Sequence, residues 1–158
     1  MAEVAVPPRS VLLAVRLLWA AVAVDAVQYA VSYFFPVTDL SQVMPPGLDL
    51  AGGALPAVLT EVYTASLLGM AALDLGTLAF LVVKVAGGKR WARGTYLLTF
   101  VLTFLLWLPS VGDLARGGDL FLAAALTLAQ LALQGWALGI LYSSGREWFD
   151  QEHSHRRK

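Results

Sequence analysis

Cysteine is absent from this chain and charge is scarce: 14% of its 158 residues are Asp, Glu, Lys or Arg, where soluble domains carry about a quarter. The missing thiols exclude disulfide staples, thiolate nucleophiles, Cys-ligated zinc and iron–sulfur clusters. Histidine is nearly absent too. His153 and His155 both stand in the terminal tail, so no haem ligand, membrane metal centre or imidazole catalyst is expected, and two ligands on a tail make a poor metal site. The sequence has no phosphate-binding glycine loop, nucleophile elbow or His-Glu-x-x-His motif, which leaves no cofactor and no enzymatic activity to expect. The 11 basic and 11 acidic residues balance, without the basic excess that nucleic-acid binding needs.

What is present is 58% hydrophobic and arranged in long runs. Gly94 to Gly112 (19 residues) and Leu120 to Gly145 (26 residues) contain no charge at all, and about 20 apolar residues cross a hydrocarbon core. Val11 to Phe35 is interrupted only by Arg16, Asp25 and Gln28, and Ala57 to Ala86 by Glu61, Asp74, Lys84 and a few hydroxyls. The pattern predicts an all-α polytopic membrane protein, a four-helix transmembrane bundle over residues 1–145 with spans at about 11–35, 57–86, 94–114 and 120–143. Residues 146–158 form a tail in which Trp148 and Phe149 read as an interfacial anchor ahead of the polybasic Arg156-Arg157-Lys158, suited to anionic lipid. A cleaved leader would account for Arg9 and Arg16 ahead of Ala21-Val22-Ala23, but the apolar run continues well past the length of a leader's hydrophobic region.

Pro36 closes the first span, Pro56 suits the first turn of the second, Gly87 and Gly88 stop it, and Gly117-Gly118 turns the third into the fourth. The connection from Pro36 to Pro56, rich in Pro and Gly, reads as a linker rather than a lid.

Orientation follows from the basic residues. Arg9, Arg16, Lys84, Lys89, Arg90, Arg93, Arg146, Arg156, Arg157 and Lys158 fall on one side of the predicted spans, and Arg116 alone falls on the other beside Asp39, Asp49, Glu61, Asp113 and Asp119. The positive-inside rule places both termini in the cytoplasm. Aromatic residues follow the same division, with Trp91, Tyr96, Tyr142 and Trp148 at the inner boundary and Tyr33, Phe34, Tyr63 and Trp107 at the outer one.

Two carboxyls remain inside the membrane. An aspartate at a span centre costs roughly 2.5–3.5 kcal/mol on insertion scales and marks a functional site by default. At 1.5 Å per residue, Asp25 falls about 20 Å from the inner boundary, Asp74 about 15 Å, Gln130 about 20 Å and Thr103 about 15 Å. Each span therefore brings a polar group to one level. Helical spacing backs them: Asp25 shares a face with Gln28 and Tyr29, Asp74 with Thr77, and Thr127, Gln130 and Gln134 form a stripe. Asp25, Asp74, Gln130, Gln28, Thr103 and Thr127 are accordingly the candidate ligand- or ion-binding residues.

Three readings of this layer stay open, one of them an arrangement in which one Asp faces an oligomer partner. Interhelical hydrogen bonds hold membrane bundles together, so the layer can be structural. Another is a site for a proton, a cation or a small polar ligand, because two carboxyls in a low-dielectric interior share a proton unless a cation lies between them. Arg16 either snorkels to the headgroups or reaches Asp74. Small-residue pairs, Ala65 with Gly69, Ala72 with Gly76 and Gly135 with Gly139, suit tight packing within the chain and, more weakly, a homo-oligomer.

Three stretches carry a family likeness: Pro8-Arg9-Ser10-Val11 leading into Ala14-Val15-Arg16-Leu17-Leu18-Trp19-Ala20; Val83-Lys84 with Gly88-Lys89-Arg90-Trp91-Ala92-Arg93; and Leu128-Ala129-Gln130-Leu131-Ala132-Leu133-Gln134 before Trp148-Phe149. Together they resemble a widespread group of small four-span bacterial inner-membrane proteins of unassigned function. The resemblance implies a multi-pass protein of the bacterial cytoplasmic membrane and brings no catalytic residues. In that group the centre of the first span is usually apolar, so Asp25 and the Pro36 to Pro56 connection are departures. Beyond the lipid bilayer, the expected partners are a second copy of the chain or another membrane protein. The accessory, assembly or immunity type of membrane protein is the alternative to an autonomous binder or transport unit acting as an oligomer.

Overall fold

The computed structural model describes residues 7–34, 54–107, 119–145 and 148–149. The chain folds into helices α1 (Arg9–Phe34), α2 (Ala54–Ala86), α3 (Arg90–Trp107) and α4 (Asp119–Ser143), with no strand among the described residues. Three stretches are long and apolar enough to cross a membrane: Arg9–Phe34, Glu61–Ala86 and Ala124–Ser143. The third helix, 18 residues opening with Arg90 and Arg93, is not among them, and the charge-free run that continues it to Gly112 leaves the described residues. The Pro36 to Pro56 connection up to residue 53, the Gly117-Gly118 turn, the two histidines and the polybasic end also lie outside them.

Each helix packs against two neighbours in the cyclic order α1, α2, α3, α4, and the α1–α4 seam is the most extensive. Neighbouring helices run in opposite directions. One continuous apolar core shows this, joining Val11, Ala14, Leu18 and Val22 from the first half of α1 to Leu78, Leu81, Val82 and Val85 from the second half of α2. Ala92 and Tyr96 of α3 and Ala137, Leu138 and Leu141 of α4 complete it. The outer surface is largely apolar too, with Leu12, Trp19, Leu73, Phe80, Leu98, Leu106 and Trp136 all exposed. A helix that is hydrophobic all round belongs in a large core or in lipid.

The α2–α3 connection is short because Gly88 reverses the chain. Its φ of 75° is the left-handed conformation that a Cβ disfavours. Gly88 N–H donates to the Val85 carbonyl and Lys89 N–H to the Lys84 carbonyl, both at 3.0 Å, the paired bonds of a Schellman cap.

At the same end, Phe149 is fully buried in the core and Trp148 packs against it. The sequence alone assigns this pair to the membrane interface. Two arginines draw the segment in: Arg90 Nε donates to the Phe149 carbonyl at 3.0 Å, and the Arg93 guanidinium lies 4.4 Å from the Tyr142 ring centroid and 4.7 Å from that of Phe149. Arg93 also donates to the Leu141 carbonyl at 3.3 Å, satisfying a backbone group that the end of α4 leaves open.

The small residues of α2 do not serve packing within the described chain. Ala65, Gly69, Ala72 and Gly76 are all exposed, and a Cβ added to Gly69 or Gly76 would meet nothing within 4 Å. Gly135 of α4 does pack: a Cβ added to it would lie 3.4 Å from the Phe100 ring.

Candidate functional site

Above the apolar core, the inward faces turn polar. Asp25 is 6% exposed, and Thr127, Gln130 and Gln134 of α4 are buried with it, as the 3–4-residue spacing on each helix requires. Gln28, Tyr29 and Asp74 are half-buried. The α1–α4 seam is closed by Gln28 Nε2, which donates to Thr127 Oγ1 at 2.8 Å. The α1–α2 seam is closed by the Tyr29 hydroxyl, which donates to Asp74 Oδ2 at 3.2 Å.

At the centre the Asp25 carboxyl lies beside both the Asp74 carboxyl and the Gln130 carboxamide. The structure thus brings together five of the six candidate residues: Asp25, Asp74, Gln28, Thr127 and Gln130. The sixth, Thr103, is half-buried on α3 and joins none of these bonds. Its helix contributes Tyr96 instead. Tyr96 is fully buried, its hydroxyl lies against Gln134 without closing a well-formed hydrogen bond, and both carboxyls are within electrostatic reach. Sequence alone sets Tyr96 at the membrane boundary. The signal that could have moved it inward is its spacing: Tyr96, Phe100 and Thr103 fall on one face of α3.

The remaining candidates sit elsewhere. Arg16 is exposed, on the outer surface and not turned toward Asp74. Thr77 is exposed and donates to its own helix, at the Leu73 carbonyl, at 2.6 Å.

Several buried polar atoms in this layer go unpaired, the Tyr96 hydroxyl among them. Asp25 Oδ2, Gln28 Oε1 and Gln134 Oε1 are all shielded from solvent and receive no hydrogen bond. Each buried, unpaired acceptor costs about 1–3 kcal/mol, and two adjacent carboxylates add like-charge repulsion in a medium that screens it poorly. A single proton between the carboxyls removes the repulsion and gives an acceptor its donor. A small monovalent cation held by these oxygens does the same, since hard oxygen donors suit such ions. Among the described residues no three His, Asp or Glu side chains converge. The chain matches no family model, no curated protein and no solved structure.

Proposed function

We propose that this chain is a multi-pass membrane protein whose interior polar layer binds a proton or a small monovalent cation between Asp25 and Asp74. The observation that carries the reading is the contact between the two carboxyls, one of them holding a buried oxygen with no donor. A purely structural layer would be served by Ser, Thr or Asn, and intramembrane carboxyls are retained where something binds them. The reading includes a fourth span through α3 and the charge-free residues beyond it, and both termini in the cytoplasm, on the strength of the Lys and Arg distribution. The family resemblance adds the bacterial cytoplasmic membrane. A transport role would call for an oligomer, since four helices offer little room for a pathway of their own. Thermal unfolding of the purified protein across pH, with sodium, potassium or choline as the cation, tests the proposal. The midpoint should depend on pH or on the small cation in the wild type and lose that dependence in Asp25→Asn and Asp74→Asn. A midpoint indifferent to both in all three proteins defeats it.

A second reading, an accessory protein that docks on another membrane protein or on its own copy, is favoured by the outward small-residue face of α2, since such faces admit close helix approach. Recovery of a stoichiometric protein partner in mild detergent supports it, and recovery of the chain alone as a monomer counts against it.

A further inference from the structure

We infer that the Asp25–Asp74 pair exchanges its proton or monovalent cation with the end of the bundle at which α1 and α3 finish, and is sealed from the end at which they begin. The inference rests on the binding role proposed above and adds a direction to it.

The two halves of the interior differ in kind. From the Tyr96–Gln134 level toward the beginning of α1, the fully buried side chains among the described residues are all apolar, Leu18, Leu138, Val82, Val85, Val11 and Phe149 prominent among them. The half-buried polar groups Lys84, Arg93 and Trp148 Nε1 stand toward the far end of this half. Measured along α1, this plug extends from Asp25 to Val11, about 21 Å at 1.5 Å per residue. Phe149 closes its far end, held there by Arg90 and Arg93. A dry apolar constriction opposes hydrated protons and ions, because nothing in it replaces their water.

In the opposite direction, each of the four helices carries a polar group at an inward position, beside apolar ones such as Ala124 and Leu67. Ser32 continues the Asp25, Gln28, Tyr29 face of α1, Thr64 lies on the Asp74 face of α2, and Thr103 extends the Tyr96 face of α3. All three are half-buried. On α4, Thr127 stands above Gln130 and accepts the Gln28 amide. Gln28 Oε1, shielded and without a donor, stands between Ser32 and Asp25 on the same face of α1. The carboxyls thus stand at the bottom of a partly polar half of the bundle, with the plug beneath them.

The absence of cysteine from the sequence makes single-cysteine accessibility a clean test. In reconstituted vesicles a membrane-impermeant charged thiol reagent is added from one side at a time, and Ser144→Cys, exposed beyond α4, identifies the plug side. Ser32→Cys and Thr64→Cys should be modified from the side opposite to Ser144→Cys and not from its own. Ala14→Cys and Ala137→Cys, small changes at fully buried plug positions, should resist from both sides while unfolding at a temperature close to that of the wild type. Modification of either plug position from the Ser144 side, or protection of Ser32→Cys and Thr64→Cys from the opposite side, overturns the inference. Labelling needs neither carboxyl. A correct labelling pattern with pH- and cation-independent unfolding would therefore defeat the binding role alone, and the reverse result would defeat the direction alone.

Discussion

The hydroxyl of Tyr29 donates to Asp74 Oδ2 at 3.2 Å across the seam between α1 and α2, while the neighbouring Asp25 carboxyl keeps a shielded oxygen without any donor. The two acids are therefore unequal. Asp74 takes the Tyr29 hydroxyl and Asp25 has the Gln130 carboxamide beside it, but the shielded oxygen left without a donor is on Asp25, so a proton of its own would complete the network. This asymmetry leads to the first prediction. Tyr29→Phe should destabilise the protein by about 0.6 kcal/mol, and by no more than about 1.7 kcal/mol, the range for interhelical hydrogen bonds in membrane bundles. A double-mutant cycle with Asp74→Asn in mixed-micelle unfolding checks it, and an interaction free energy near zero would show that the bond contributes nothing.

Asp25→Asn should keep the fold and raise the unfolding temperature at alkaline pH. The asparagine amide can donate to Asp74 where the aspartate needed a proton, and the charge repulsion that follows loss of that proton is gone. The titratable groups that face Asp25 are Asp74 from α2, Tyr29 from its own helix and Tyr96 from α3; α4 contributes only the uncharged Thr127, Gln130 and Gln134. Thermal scans of both proteins over pH decide the matter. A mutant less stable than the wild type at alkaline pH contradicts the prediction.

Phe149→Ala removes a fully buried ring and should cost about 3–5 kcal/mol, the usual range for a large aromatic truncated in a packed core. Arg93 loses one of its two ring partners at the same time. If the side chain instead lay in the membrane interface, as the sequence alone suggests, the loss in chemical unfolding would be below about 1 kcal/mol.

Gly88→Ala forces a Cβ into a left-handed conformation and should destabilise the α2–α3 turn by about 1–2 kcal/mol. Gly69→Ala, in open space on a helix exterior, serves as the control and should be neutral or slightly stabilising.

The helices were legible because charge-free or nearly charge-free runs of spanning length have few alternatives in water, and the i, i+3, i+4 rule was enough to bring Asp25, Gln28, Thr127 and Gln130 to one layer. The depth arithmetic failed for α3. It gives the height of a Cα and not which residue of a face comes nearest the carboxyls: Thr103 shares its face with Tyr96, and it is Tyr96 that lies within electrostatic reach of the two acids. Direction is hard to read in this chain because its helices are apolar on every face, and a uniform surface does not say which side turns inward. The same ambiguity hid the outward stripe from Ala65 to Gly76 on α2. The burial of Phe149 depends on contacts with Arg90 and Arg93, more than 50 residues earlier in the chain, which no local pattern announces.

The central claim is that the carboxyl pair binds, and difference infrared spectroscopy of the protonated carboxyl tests it most directly. In lipid, at mildly acidic pH, with choline as the only cation, the wild type should show the carbonyl band of a protonated acid in an apolar setting. That band should vanish on alkalinisation or on addition of a bound alkali cation, and it should be missing from Asp25→Asn. A band absent from the wild type under these conditions, or one that persists unchanged in Asp25→Asn, would contradict the account.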